Sequence, residues 1–159
     1  MNNRVDLEKI GYLTRTDKLD HGYLGIYQKH FERFKNTDCN ILELGVHTGA
    51  SILAWKIYFN NAYVVGMDIE DKTGFFNNLW GEKSFFLGDQ SSANDLEKVI
   101  NEVKNKTGRS FDIIIDDGSH FQYDMMTSLG LLYPYLNDGG VYIVEDMCTA
   151  EDLKNGSKW

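Results

Sequence analysis

The chain contains few cysteines and no long apolar segment. Its 159 residues include two cysteines, Cys39 and Cys148. They fall on separate predicted strands, so we expect free thiols rather than a disulfide, and with them a cytoplasmic setting. No apolar run approaches the ~20 residues that cross a membrane, and the opening MNNRVDLEKIGYL lacks the apolar block of a secretory signal. These observations argue against a membrane partner.

Basic residues are scarce as well. Sixteen lysines and arginines face 24 aspartates and glutamates, which gives a formal net charge of -8. This balance argues against a nucleic acid as the main partner, because binding to its backbone normally depends on a basic surface. Hydrophobic residues make up 42% and charged residues 25% of the chain, which together with its length predicts one soluble globular domain.

Short apolar runs alternate with stretches of helical periodicity. Strand-like runs occupy residues 39–45, 63–69, 83–87, 111–115 and 140–144. Apolar residues recur at helical spacing within residues 20–34, 51–59, 93–103 and 121–132. The alternation predicts an α/β fold with a doubly wound, Rossmann-like, mostly parallel sheet of about five strands and flanking helices.

Acidic residues stand at the end of every predicted strand. Right-handed crossovers bring the carboxyl ends of parallel strands to one edge of the sheet. The ligand crevice of an open α/β sheet forms outside that edge. The acids expected there are Glu43, Asp68, Asp89, Asp116, Asp117, Glu145 and Asp146.

A glycine loop follows the first strand and opens a helix. In Glu43-Leu44-Gly45-Val46-His47-Thr48-Gly49, Gly45 allows a turn and Gly49 allows close approach of a ligand. The dinucleotide pattern G-x-G-x-x-G requires glycine where His47 stands, so a cofactor without phosphates, such as S-adenosylmethionine, fits better. Asp68 ends the next strand, where an acid receives ribose hydroxyls. Alternatively, Glu43 caps the helix and Asp68 is a surface acid.

The segment FDIIIDDGSH raises the question of a metal site. Asp116 and Asp117 point to opposite faces if the strand continues, so one metal ion takes Asp117 and not both. Glu145 and Asp146 share that ion only if the backbone leaves the strand between them. Clustered carboxylates repel one another without a cation, and carboxylate oxygens suit magnesium better than zinc. Alternatively, Asp-Asp-Gly is a turn, and His120 makes only a local hydrogen bond.

Five motifs in order carry a resemblance to a known family. ILELGVHTGAS, VVGMDIE, FFLGDQSS, FDIIIDDGSH and GGVYIVED resemble the class I S-adenosylmethionine-dependent methyltransferases. IDDGSH followed by VED resembles, more narrowly, the metal-dependent sugar O-methyltransferases that tailor macrolide antibiotics and related glycans. The resemblance implies a seven-stranded sheet of which this chain supplies five strands, with the C-terminal strands of the family fold missing. It also implies an N-terminal helical segment (residues 1–36) before an S-adenosylmethionine-binding Rossmann-like domain (residues 37–159).

The resemblance implies a role for each residue at the strand ends. Cofactor-binding positions are Glu43, Gly45 and Gly49 on the methionine and ribose side, Asp68 at the ribose hydroxyls, and Asp89 and Gln90 along the adenine. Asp116, which strand alternation turns away from the metal, is left as an acid on the cofactor side or as one that supports the metal ligands. Ligands of a divalent cation, Mg²⁺ by preference, are Asp117, Glu145 and Asp146. His120 is the general base.

The expected function is transfer of a methyl group from S-adenosylmethionine to a hydroxyl of a small acceptor, a sugar or glycan-type natural product, with help from the metal. Two alternatives stay open: a non-catalytic S-adenosylmethionine-binding or interaction domain, and a nicotinamide-dependent oxidoreductase. The sequence also leaves open a homo-oligomer.

Overall fold

Five parallel strands in the order β3-β2-β1-β4-β5 form the centre of the fold. They are β1 (Asn40–Leu44), β2 (Tyr63–Asp68), β3 (Phe85–Leu87), β4 (Phe111–Asp116) and β5 (Leu136–Val144). This structure, a computed structural model, describes residues 6–74, 76 and 84–147. The predicted α/β fold with a parallel five-stranded sheet is confirmed.

Helices cover both faces of the sheet. They are α1 (Leu7–Thr14), α2 (Leu24–Phe31), α3 (Ala50–Tyr58), α4 (Ala93–Thr107) and α5 (Gln122–Leu132). Alternate residues of the central strands enter different cores: Ile41 packs with α1, α2 and α3, whereas Leu42 packs with α4 and the end of α5. Burial on both faces explains why β1 and β4 are continuous apolar runs, since neither face meets water.

Several element boundaries differ from the sequence prediction. The segment 20–34 is not one helix: α2 begins at Leu24, because Gly22 first turns the chain at a positive φ of 73°. Helix α1 lies within the N-terminal helical segment (residues 1–36) that the resemblance implies, although no helical periodicity marked it in the sequence. Strand β3 begins at Phe85, and residue 83 lies outside the described residues, as does Cys148.

The fifth strand is longer than predicted. It begins at Leu136 rather than at residue 140, and its pairing with β4 shifts register near Phe111. The apolar stripe expected on α5 is mostly exposed: Met126 and Leu129 face solvent, and Leu132 is buried. Side chains at the β5 edge of the sheet are therefore less buried than those of the central strands.

The N-terminal helices bring an additional turn to the carboxyl edge of the sheet. Leu7 of α1 and Leu24 and Phe31 of α2 are fully buried in the same core as Trp55 of α3. Between α1 and α2 lies a short 3-10 helix, Asp17–Leu19. This turn lies at the carboxyl edge, because Asp17 lines the cavity there. No helix in the described ranges is long and apolar enough to span a membrane.

Candidate active site at the carboxyl edge of the sheet

A cavity of about 530 Å³ opens at the carboxyl ends of the strands. Its size lies in the range of ordinary small-molecule sites, roughly 300–1,000 Å³. The predicted site residues that line it are Gly45, Asp68, Asp89, Gln90, Asp117, His120, Glu145 and Asp146. The remaining three, Glu43, Gly49 and Asp116, are not among the lining residues. The fold therefore brings most of the predicted residues to one crevice.

The glycine loop wraps around the carboxylate at the end of β2. Gly45 and Gly49 both have a φ of 80°, which glycine adopts without steric cost. The backbone amides of Val46 and His47 donate to Asp68 Oδ2 at 2.8 and 2.9 Å. Asp68 thus fixes the loop. Its Oδ1 accepts one bond, from the Glu70 amide at 2.9 Å, and keeps a further lone pair for a ligand hydroxyl.

Glu43 lies beneath the cavity rather than in its wall. Its side chain is fully buried, and its Oε2 accepts a 2.8 Å hydrogen bond from Trp55 Nε1. Its Oε1 lies 3.2 Å from Lys18 Nζ. Burial raises the pKa of Glu43, and the Lys18 ammonium opposes that rise. Gly49 is the N-cap residue of α3, and no side chain caps that helix.

Asp116 and Gln90 support the loop that follows β4. Asp116 is buried, and its carboxylate accepts from Gln90 Nε2 at 3.0 Å and from Ser128 Oγ of α5. Gln90 Oε1 accepts the backbone amide of Ser119 at 2.7 Å. Burial raises the pKa of Asp116, and these hydrogen bonds oppose the rise. A Cβ at Gly118 would lie 1.8 Å from Gln90 Oε1, so a larger residue there would displace the Gln90 amide from its bond with Ser119.

Asp89 occupies the end of β3. Its Oδ1 accepts two bonds from Ser91, one from the backbone amide and one from Oγ, both at 2.8 Å. These bonds shape the turn after β3 and leave Asp89 at the cavity wall.

Asp117, His120 and Asp146 form a cluster of potential metal ligands. One donor atom from each lies within 4.8 Å of the others. Asp117, the first residue after β4, does not share the partners of Asp116 and contacts Lys18 instead. The backbone leaves β5 after Val144, and Asp146 adopts a φ of 49°. The strand thus ends before Glu145 rather than between the two acids, and among the described residues the cluster includes Asp146 but not Glu145.

Glu145 turns toward the N-terminal segment. Its Oε1 accepts from Lys18 Nζ at 2.7 Å and from Tyr27 Oη. Burial raises the pKa of Glu145 to about 7, although the nearby Lys18 ammonium opposes that rise. Glu145 is buried, yet it remains part of the cavity wall.

The sequence did not predict Lys18, a buried lysine among the acids at this edge of the sheet. Lys18 is 1% exposed, and its ammonium contacts Glu43, Asp117 and Glu145. Burial alone would lower the pKa of Lys18, but the three carboxylates outweigh it and raise the pKa above its ordinary value. The only signal in the sequence was a lysine within TDKLDHGY, ahead of an aromatic stripe, and nothing there indicates that it is buried.

Two further side chains of the N-terminal segment contact the acids. Tyr23 Oη donates to Asp146 Oδ1, and His21 Nδ1 lies 3.9 Å from Asp146 Oδ2. The hydrogen bond to Asp146, followed by burial, raises the pKa of Tyr23 to about 12. The N-terminal segment therefore closes one side of the acidic cluster.

His120 lies near the end of the loop between β4 and α5 and has an unusual backbone conformation. Its φ is 58°, its Nε2 lies 3.9 Å from Asp117 Oδ1, and its Nδ1 is buried. Within the described part of the chain, no hydrogen-bond partner faces that Nδ1. His47 and Asp146 also have positive φ. Such backbone conformations concentrate at functional sites.

The residues present fit a divalent cation. Asp117 and Asp146 offer carboxylate oxygens, the ligand type that Mg²⁺ prefers. The partly exposed cluster also leaves room for substrate oxygens, which Mg²⁺ usually retains in its coordination shell.

Comparisons with known proteins agree with this geometry. No protein-family model matches the chain. Mycinamicin VI 2''-O-methyltransferase of Micromonospora griseorubida is 32% identical over 157 residues, covering 94% of this chain and 36% of that protein. Demethylmacrocin O-methyltransferase of Streptomyces fradiae is 34% identical over 146 residues, covering 87% of this chain and 35% of that protein. The chain therefore spans about a third of the length of these curated relatives.

A solved structure shows the same architecture. The MycE methyltransferase of the mycinamycin biosynthetic pathway, in complex with Mg, SAH and mycinamycin VI, superposes with a TM-score of 0.80 at 30% identity. The match covers 91% of this chain and 40% of that one. The resemblance expected from the sequence motifs and the Rossmann-like fold are thereby confirmed.

Proposed function

We propose that this chain, a homologue of the class I S-adenosylmethionine-dependent sugar O-methyltransferases, transfers a methyl group from S-adenosylmethionine to a hydroxyl of a small acceptor with the help of a divalent metal. The observation that carries the proposal is the convergence of Asp117, His120 and Asp146 within 4.8 Å at the cavity. A hydroxyl bound there meets both a cation site and a base.

The chemistry needs those two groups. S-adenosylmethionine supplies a methyl group on a positively charged sulfur, so the enzyme has to position the acceptor and raise the nucleophilicity of its oxygen. A bound Mg²⁺ lowers the pKa of a coordinated hydroxyl and orients it. His120 takes the hydroxyl proton at a ring nitrogen while the new C–O bond forms and the C–S bond breaks. The products are a methyl ether, S-adenosylhomocysteine and imidazolium.

The cofactor occupies the side of the cavity formed by β1, β2 and β3. Gly45 permits close approach, and the Asp68 carboxylate accepts from the ribose hydroxyls. Asp89 and Gln90 lie beside the adenine. Three of the predicted residues act through their neighbours. Glu43 positions Trp55 and Lys18. Gly49 begins α3, and Asp116 positions Gln90.

The metal occupies the side formed by the ends of β4 and β5. Asp117 and Asp146 would hold it by carboxylate oxygens. Glu145 lies outside their cluster and would offer only Oε2 as a third ligand, because its Oε1 is held by Lys18 and Tyr27. His120 is kept as the base rather than a fourth ligand, since three carboxylates already satisfy the preference of Mg²⁺ for oxygen.

The acceptor class rests on the relatives. Their names describe methylation of mycinamicin VI at a 2'' position and of demethylmacrocin. The name of a third relative, 8-demethyl-8-alpha-L-rhamnosyl tetracenomycin-C 2'-O-methyltransferase, describes a rhamnosyl compound and supports a sugar hydroxyl as the acceptor. A sugar presents hydroxyl oxygens, the ligand type that a Mg²⁺ held by Asp117 and Asp146 would accept.

An assay of methyl transfer tests the proposal. The chain is incubated with S-adenosylmethionine bearing a labelled methyl group, Mg²⁺ and macrolide glycosides with free sugar hydroxyls. We expect a labelled methyl ether that disappears in excess EDTA and returns when Mg²⁺ is restored.

Full transfer in EDTA would remove the metal from the mechanism. Cofactor binding without transfer to any glycoside would favour a non-catalytic domain. A thermal shift with NAD but none with S-adenosylmethionine would favour an oxidoreductase.

A further inference from the structure

The geometry points to Lys18 as a positioning residue for the proposed metal site: its buried ammonium fixes Asp117 and Glu145 so that their remaining oxygens face the cation. This inference rests on the proposed function and assigns a role to a residue of the N-terminal segment that neither the glycine loop nor the acidic motifs contain. Lys18 touches no substrate in this scheme and acts through the carboxylates.

The contacts of the ammonium are divided between the cavity wall and the layer beneath it. Lys18 Nζ holds Asp117 by Oδ2 and lies 2.7 Å from Glu145 Oε1. Asp117 Oδ1 is left toward the cluster, 3.9 Å from His120 Nε2. On the inner side, the same Nζ lies 3.2 Å from Glu43 Oε1. The Lys18 ammonium thereby determines that Oδ1 of Asp117, and not Oδ2, faces the cluster.

The backbone that carries Lys18 is itself fixed. In the turn between α1 and α2, the amide of Tyr23 donates to the Lys18 carbonyl oxygen at 3.0 Å, and the amide of His21 donates to the Asp17 carbonyl oxygen at 3.0 Å. Leu19 donates to Thr16 at 3.2 Å. A lysine side chain is flexible in water, but burial to 1% exposure on such a turn removes that freedom. The ammonium is therefore preorganised before a metal binds.

Two effects of Lys18 on a metal oppose each other. Its positive charge repels a second cation, so simple electrostatics predicts that its removal tightens metal binding. Its hydrogen bonds orient the ligands, and outer partners of metal ligands typically contribute 10–100-fold in affinity. We expect the orienting effect to outweigh the repulsion. Lys18 contacts two of the three proposed ligands, and the nearby Glu43 carboxylate partly neutralises its positive charge.

The test is Mn²⁺ binding followed by electron paramagnetic resonance in the presence of S-adenosylhomocysteine. Lys18→Met keeps much of the shape and removes the charge, and Lys29→Met, at an exposed position of α2, is the matched control. We expect Lys18→Met to weaken Mn²⁺ binding about 10- to 100-fold and Lys29→Met to leave it unchanged. Equal or tighter binding by Lys18→Met would overturn the inference.

A second variant covers the case in which Lys18→Met does not fold because Glu43 is left as an unpaired buried carboxylate. The double variant Lys18→Met/Glu43→Gln removes that charge, and its melting temperature is measured alongside its Mn²⁺ affinity. If Lys18 only neutralised Glu43, the double variant would bind Mn²⁺ like the wild type, and the positioning role would be wrong. Continued weak binding in a folded double variant supports it.

The Mn²⁺ affinity of the wild-type protein distinguishes failure of the proposed metal site from failure of the role of Lys18. Wild-type protein that binds no Mn²⁺ contradicts the metal site of the proposed function, and the role of Lys18 with it. Wild-type protein that binds Mn²⁺ beside a Lys18→Met variant of equal affinity contradicts the role of Lys18 alone.

Discussion

Gly45 and Asp117 lie against each other across the sheet. A Cβ on Gly45 would meet the Asp117 carbonyl oxygen at 1.9 Å, and the Asp117 amide donates to the Leu44 carbonyl oxygen at 2.9 Å. The proposed cofactor loop after β1 and the proposed metal loop after β4 are thus one packed unit. This contact keeps the residues proposed to bind the cofactor beside those proposed to hold the metal.

Replacing Gly45 tests that contact. We expect Gly45→Ala to destabilise the fold by at least about 2 kcal/mol, because alanine is strained at a φ of 80° and its Cβ meets fixed backbone. Urea unfolding measures the change. Gly130→Ala on α5, where an added Cβ meets nothing within 4 Å, is the control and should be neutral or stabilising by up to about 1 kcal/mol. Equal stability of the two variants would contradict the close packing of the loops.

Replacing His120 tests the proton transfer. General bases typically contribute 10²–10⁴-fold, so we expect His120→Gln to lower kcat by about that range while the calorimetric affinity for S-adenosylhomocysteine changes by less than about threefold. His30→Gln, at an exposed position of α2, should leave kcat unchanged. A His120→Gln variant with wild-type kcat would leave the acceptor hydroxyl without the base assigned to it.

The reactivity of Cys39 tests the predicted core. The thiol is free and buried, and burial raises its pKa from 9.0 to about 12. Because only the thiolate reacts, the reactive fraction at pH 8 should be about a thousandfold lower in the folded state than in the unfolded state. The thiolate fraction of folded Cys39 should become large only as the pH approaches this raised pKa.

A Cys148→Ser background isolates this thiol for reaction with Ellman's reagent. We expect slow labelling at pH 8 in buffer and complete labelling in urea. Fast labelling of the folded variant would show that Cys39 is reached by solvent, contrary to its 2% exposure.

The strand ends could be predicted from the sequence because their pattern is local. Apolar runs identify β1, β2 and β4, and parallel connectivity then places Asp68, Asp117 and the Glu145-Asp146 pair at one edge without any knowledge of side-chain contacts. Asp116 and Asp117 contact different partners, as alternation predicts for adjacent residues, although β4 itself ends at Asp116.

The partners of the acids could not be predicted in the same way. Lys18 lies far from Asp117 and Glu145 in sequence, and only the packing of α1 and α2 against α3 brings it beneath the cavity. Repulsion among the carboxylates indicated that a cation lies between them, but it did not say that the chain supplies one itself. The exposure of Met126 and Leu129 was missed for a related reason: periodicity marks an apolar stripe, not what covers it.

Anomalous diffraction from crystals soaked with Mn²⁺ and S-adenosylhomocysteine is the most direct measurement of the central claim, because Mn²⁺ takes the same oxygen ligands as Mg²⁺. The account predicts one strong anomalous peak at the cavity, within about 2.3 Å of carboxylate oxygens of Asp117 and Asp146, with the sulfur of the cofactor product nearby. A peak bound elsewhere, or a cofactor product seated in the cavity with no metal beside those two carboxylates, would contradict it.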